Sequence, residues 1–299
     1  MRFRYMVSLR DAATRVHFCS GTLIAPSLVL AAAHCFRDAD SGLDELDEAF
    51  LPRVRIGGYR LSLDSPRRGR FESRHVIKTL IHPRFTTGFT DPLTYDLLNH
   101  DVAVLLLNKP SALAPVRLAP YKGEWLRERA KAPWANPVPD GSHVLTLGWG
   151  YLRGEPEWTE ARRVADLRTR VLPLRECQRQ VGATTFEDGF WEVHKIVIRF
   201  RSNAMLCCSR LHPPKRSGVC GGDSGGPLIV EGPTAGQDVQ IGVTSWAGSP
   251  CGNGEPSVFA DVGVLRRWID RAALELTGKP LPGGKRTVTL AKLRRRKGG

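Results

Sequence analysis

No stretch of about 18 apolar residues occurs anywhere in the chain, so no segment reads as a membrane-spanning helix. The start is equally poor in apolar residues. It opens Met-Arg-Phe-Arg-Tyr, with nothing long enough to serve as a secretion signal. No two cysteines stand in Cys-x-x-Cys spacing, and the adjacent Cys207 and Cys208 do not both fit one ordinary zinc cage. No internal repeat is visible. Beyond Thr277 there is no acidic residue at all.

What is present fills these gaps unevenly. With 299 residues, 41% of them hydrophobic, the chain is able to bury a sizeable core. Seven cysteines without metal spacing point to disulfides in an oxidising compartment, with one thiol left over. The net charge of +14 is concentrated at one end. Lys279, Lys285, Arg286, Lys292, Arg294, Arg295, Arg296 and Lys297 supply more than half of it. Residues 38 to 48, in contrast, hold six acids. Both stretches are expected to be solvated, and the basic tail of residues 277–299 to be disordered and to bind anionic surfaces in a salt-dependent manner. The tail has no interleaved aromatics to support nucleic-acid recognition.

Short runs of β-branched and apolar residues recur along the chain, among them Met6–Leu9, Gly21–Ala25, Val29–Ala32, Arg53–Ile56, Val76–Ile81 and Val102–Leu106. After a proline-containing connector around Lys131–Gly141 they resume at His143–Gly148, Val164–Val171, Leu228–Val230, Gln240–Ser245 and Ser257–Val262. Thirty glycines and 21 prolines are scattered between them, which is the punctuation of an all-β sandwich or barrel pair. Leu265, Trp268, Ile269, Ala272 and Leu276 fall at helical spacing, with Gly278 placed to end the helix and Pro280 following.

Three places carry candidate chemistry. Cys220-Gly-Gly-Asp-Ser-Gly-Gly-Pro227 surrounds Ser224 with glycines, which let backbone N–H groups converge on one point. A serine at its own pKa is a poor nucleophile and needs a base nearby. Leu30-Ala-Ala-Ala-His34-Cys35 offers one, crowded by small residues. Asn99-His100-Asp101 stands at the mouth of an apolar strand, where a carboxylate is costly to bury unless hydrogen-bonded. A neutral imidazole N–H from His34 would satisfy it. His17, His75, His82, His100, His143, His194 and His212 are read as structural or solvated. For His100, strand alternation turns its side chain away from the face of Asp101.

With Met6-Val-Ser-Leu9, His17-Phe-Cys-Ser-Gly-Thr-Leu-Ile24, Gly148-Trp-Gly150 and Thr244-Ser-Trp246, these segments resemble the trypsin/chymotrypsin family of serine proteases over roughly residues 5–276. The resemblance implies two six-stranded antiparallel β-barrels with a C-terminal helix. The first barrel would span about residues 1–120, the second about 121–263 and the helix about 263–276. It implies a serine endopeptidase in which Ser224 is the nucleophile, His34 the general base and Asp101 its orienter. The Gly222 and Ser224 amides would form an oxyanion hole. Ser245 would support Asp101, and Ser245, Trp246 and Ala247 would pair with the substrate backbone. Disulfides Cys19–Cys35, Cys177–Cys207 and Cys220–Cys251 are implied, with Cys177–Cys208 an open alternative. Protein or peptide substrates, secretion and a monomer follow from the same likeness. No cofactor and no metal are expected, since no clean acidic loop for calcium follows Tyr59. A protease-like binding protein without turnover is the alternative.

Two departures from the family pattern carry expectations of their own. Where members that accept Lys or Arg place an acid, six residues before the serine, this chain has Gly218. Ala247 and Ser257 replace glycines of the pocket wall, so cleavage after small or medium apolar residues is expected, with cations rejected. The likeness begins near Met6, without the family's activation segment, whose freed amine would pair with Asp223. The sequence is therefore expected to lack upstream residues, and residues 1–299 alone to behave as a zymogen. Arg55-Ile-Gly-Gly58 mimics an activation cleavage site, but lies after His34 and reads as strand and turn.

Overall fold

The computed structural model describes residues 2–36, 51–61, 71–91, 94–121, 138–151, 161, 163–181, 183–187, 193–198, 204–211, 218–247 and 255–282. The acidic stretch, Cys251, His212 and the tail beyond Pro282 lie outside them.

Strands β1 (Met6–Arg10), β2 (His17–Ala25), β3 (Leu28–Ala31), β4 (Arg53–Ile56), β5 (Glu72–Ile81) and β8 (Ala103–Leu107) close a barrel in the order β1-β2-β3-β8-β5-β4. Alternation decides which face of β4 is inward: Val54 and Ile56 are buried while Arg53 and Arg55 are only partly so. β1 and β3 are buried at every position; β3 is a wholly apolar run, while β1 also buries Ser8 and Arg10. Between β5 and β8 the chain forms the hairpin β6 (Thr86–Asp91) and β7 (Thr94–Asn99).

The second barrel is made of β10 (His143–Gly148), β11 (Ala165–Val171), β14 (Met205–Arg210), β15 (Pro227–Val230), β16 (Val239–Ala247) and β17 (Ser257–Asp261). Pairing of β15 with both β10 and β16 closes it, and β9 (Arg117–Leu118) adds in parallel to β16. Helix α1 (Leu174–Val181) precedes the hairpin β12 (Ala183–Glu187) and β13 (Val193–Ile198), whose second strand pairs with β7 of the first half. Two six-stranded barrels were expected. The four-stranded sheet β12-β13-β7-β6 and the short helix α1 were not.

Helix α2 (Val262–Thr277) closes the described chain. The Asp261 side chain caps its start by accepting from Val264 N at 3.1 Å, and Gly278 ends it with φ 68° and its N–H on Leu274 O. Arg266, 4% exposed, ties the helix to the connector between the barrels through Leu118 O and Ala119 O. No described helix is long and apolar enough to cross a membrane. The barrels meet through buried polar contacts as well as apolar ones, notably Thr22 Oγ1 donating to Gln240 Oε1 at 2.7 Å.

Candidate active site

β3 and β8 pair antiparallel with Ala31 opposite Ala103, so the residues just beyond their paired ends come together. Those residues are His34 and Asp101. Asp101 is fully buried, a position that would be prohibitive for a bare carboxylate. Three hydrogen bonds compensate it. Oδ1 accepts the His34 backbone N–H at 2.9 Å, and Oδ2 accepts His34 Nδ1–H at 2.7 Å and Ser245 Oγ–H at 2.6 Å. A carboxylate only accepts, so the proton sits on Nδ1 and the neutral ring keeps Nε2 free to take another. Burial alone would depress the His34 pKa. The Asp101 charge and hydrogen bond outweigh that and hold it above the usual histidine value.

Ser224 lies in the turn before β15. Ser20 N of β2 donates to Ser224 O at 2.8 Å, and Cys35 Sγ stands 3.9 Å from the same oxygen. The turn thus rests against the first barrel, beside the residue that follows His34. No hydrogen bond joins Ser224 Oγ to His34, whose Nδ1 is bonded to Asp101, and such contacts commonly tighten only on substrate binding. Gly222 and Gly225 take φ of 93° and 81°, a region that side chains with a Cβ rarely enter.

Asp223 N donates to Cys220 O, Gly225 N to Thr244 O and Gly226 N to Asp223 O. The amides of Gly222 and Ser224 have no acceptor among the described residues. They are the two anticipated oxyanion donors. The Gly222 carbonyl, in the next peptide unit, accepts from His17 Nε2 at 3.0 Å and Ser20 Oγ at 2.9 Å. His17 Nδ1 faces Ser8 Oγ at 2.9 Å, and Arg10 Nε donates to that hydroxyl at 3.3 Å. Burial pushes the His17 pKa down to about 4, so the ring is neutral with its proton on Nε2. From sequence alone His17 reads as a structural histidine, and nothing singles out Ser8 or Ser20. The opening position of the His17-Phe-Cys-Ser-Gly run was the one signal available.

Asp223 turns inward. Its carboxylate accepts from Gly150 N at 2.7 Å and Cys220 N at 2.9 Å. A Cβ on Gly148 or Gly150 would fall on the carboxylate, which is why glycine flanks Trp149 on both sides. Desolvation raises the Asp223 pKa to about 6 against the lowering effect of those two amides, and no cation among the described residues faces it. The carboxylate borders a cavity of about 190 Å³ that Gly218, Val219, Tyr151 and Asp166 also line. Arg2 does not reach it. That guanidinium pairs with the buried Asp238, which also accepts from Tyr5 Oη at 2.8 Å.

Gly218 thus lines the same cavity as Asp223. Ala247 and Ser257 face each other across β16 and β17, with Trp246 opposite Val258. Residues 212–217 and 248–254 lie outside the described residues. Cys19 is bonded to Cys35 and Cys177 to Cys207. Cys220 is also disulfide-bonded, while Cys251 lies outside the described residues. Strand alternation decides between the adjacent thiols: Cys207 packs with Leu172, Cys177 and Val181, and Cys208 points into the main core as a buried free thiol. Cys19, His34 and Cys35 bring metal-type ligand atoms within 4.8 Å of one another, but the disulfide occupies both sulfurs.

Comparison with known proteins agrees with this geometry. The sequence model of the family described as Trypsin matches residues 1–269. Mouse (Mus musculus) Serine protease 56 is 31% identical over 253 residues, covering 84% of this chain and 34% of that protein. The chain thus spans about a third of that relative's length. Kallikrein 1-related peptidase b3 of Mus musculus is 28% identical over 263 residues, covering 85% of the chain and 79% of the relative. Glucanase inhibitor protein 3 of Phytophthora infestans is 28% identical over 277 residues, covering 89% and 82%.

Proposed function

The chain belongs to the Trypsin family, and from that premise we propose that it is a serine endopeptidase acting through an acyl-enzyme on Ser224. The observation that carries this reading is the Asp101 carboxylate, fully buried and bonded to His34 Nδ1 at 2.7 Å. A buried carboxylate bonded to the imidazole is what an oriented base requires at that place. His34 Nε2 takes the Ser224 proton as Oγ attacks the scissile carbonyl, and returns it to the leaving amine. The unpaired Gly222 and Ser224 amides receive the oxyanion, and Tyr151 N, donating to the Gly221 carbonyl at 3.0 Å, fixes the peptide plane that carries the first of them. Asp223 is assigned a terminal amine as its partner, since its carboxylate borders a cavity and lacks a facing cation among the described residues. Residues 1–276 are assigned to the protease domain and residues 277–299 to a basic tail for anionic surfaces. The disulfides fit a secreted protein.

The P1 residue is assigned as small or medium and apolar. Gly218 offers no charge to a cation, and the Ala247 and Ser257 side chains narrow the walls. The test is a peptide-library profile of the protein beside Ser224→Ala. Cleavage after Ala, Val or Leu, absent after Arg and Lys and lost in S224A, is the expected outcome. A second reading, a binding protein without turnover, is favoured by the likeness to Glucanase inhibitor protein 3. Tight binding of a partner protein with no cleavage of any library member would select it.

A further inference from the structure

The backbone just before Asp101 is unusual for a stretch without glycine. Leu98 has φ 44° and His100 φ 53°, both in the left-handed region. A residue with a Cβ is disfavoured there, and holds such a conformation only where its surroundings impose it. His100 is thus not the strand residue that alternation suggested. It occupies a turn between β7 and β8.

Its ring lies on that of His82, with centroids 4.8 Å apart and planes at 27°. His82 in turn rests against Trp268 of α2, at 4.9 Å and 53°. His82 is fixed independently of both. Its Nδ1 accepts from Arg84 N at 3.1 Å, and its carbonyl accepts from Phe85 N at 2.8 Å. Its own N–H donates to Val102 O at 3.1 Å, while Val102 N donates to His100 O at 2.8 Å. The last bond closes a three-residue turn with Asp101 at its apex. His82 therefore grips both neighbours of Asp101, residue 100 through its ring and residue 102 through its backbone. Burial pushes the His82 pKa down to about 3, and His100, Arg84 and Arg271 act in the same direction. The ring that supports His100 is neutral.

We propose that His82 and His100 are positioning residues for Asp101: their stack, backed by Trp268, holds His100 in its left-handed conformation and so aims the Asp101 carboxylate at His34. The proposal rests on the reading of Asp101 as the orienter of His34. It makes the C-terminal helix part of the support of the site, at a distance from substrate.

Three variants test it: His82→Ala, His100→Ala and the double variant H82A/H100N. Asparagine tolerates the left-handed region, so at position 100 it keeps the turn without a stack. Two readouts are taken, turnover of an ester substrate and the pKa of His34 by imidazole NMR. H82A and H100A should each lower kcat by about tenfold with KM unchanged, as expected for a small misplacement of a catalytic group. Both should bring the His34 pKa down, and H82A/H100N should restore both quantities to within about threefold and a few tenths of a pH unit. H100A alters only a half-buried ring, so it keeps the test open if H82A fails to fold. An unmoved His34 pKa in the single variants, or no recovery in the double, overturns the proposal. If the unmodified protein shows no turnover but the His34 pKa follows this pattern, the enzymatic reading fails and the positioning role stands.

Discussion

At the scale of single residues, the Asp101 carboxylate organises the site. Its three donors fix the tautomer of His34, and its charge holds the imidazolium form more stable than in water. A general base works as the neutral ring, so the acid limb of kcat/KM should lie above pH 6.5, the unperturbed value. Asp101→Asn should move that limb below 6.5 and lower kcat on the order of 10⁴-fold, because the amide favours the wrong tautomer. A pH–rate profile of both proteins on one ester checks this. His34, Asp101 and Ser224 stood out in the sequence because each lies in a short run of unusual composition: alanines, a strong apolar strand, glycines. His17 and His82 did not. Their partners are a carbonyl and a ring far away in sequence, and no local pattern records such contacts.

At the scale of elements, pairing of β3 with β8 delivers His34 and Asp101 together, and the Cys19–Cys35 disulfide pins the chain on either side of that delivery. The bridge closes a sequence separation of 16 residues, for which loop-closure entropy gives about 3 kcal/mol. The Cys19→Ser/Cys35→Ser protein should lose stability of that order in urea unfolding, and should lose kcat as well, since Cys35 adjoins His34. Unchanged kcat would show that β3 and β8 suffice to place the histidine. The barrel strands were legible because each buries one face or both, and period-two alternation or a wholly apolar run records that burial. The strands of the β12-β13-β7-β6 sheet were not. Thr-Thr-Gly-Phe-Thr-Asp and Ala-Thr-Thr-Phe-Glu carry too little apolar contrast to distinguish a strand from a loop, and β13 pairs with β7 from the other half of the chain. Helix α1 was missed because it is only eight residues long and, among the described residues, buries only Cys177 and Val181 of its apolar side chains.

At the scale of the whole molecule, three groups with shifted pKa values couple stability to pH on the acid side of 6.5. His17 and His82 have pKa values lowered from 6.5, to about 4 and about 3, so the folded state refuses protons that the unfolded chain binds below pH 6.5. Stability therefore falls as pH drops through that window. For His82 the facing groups are His100, Arg84 and Arg271, with Trp268 beneath, and none supplies a compensating negative charge. Asp223, raised from 3.8 to about 6, acts oppositely: the folded state holds a proton that the unfolded chain releases, so stability falls as pH rises from 3.8 to 6. Near pH 5 the two histidines outnumber the one carboxylate, and net uptake on unfolding is expected. Thermal melts should accordingly drop from pH 6.5 to 4.5, and a protein that is more stable at 4.5 would show that Asp223 dominates. The central claim, that Ser224 is a nucleophile activated by His34, is tested most directly by titrating the protein with an active-site-directed fluorophosphonate and mapping the adduct by mass spectrometry. The account predicts one label per chain, on Ser224, lost on His34→Ala and accompanied by loss of peptide hydrolysis. A label on another residue, or hydrolysis that survives complete labelling of Ser224, would contradict it.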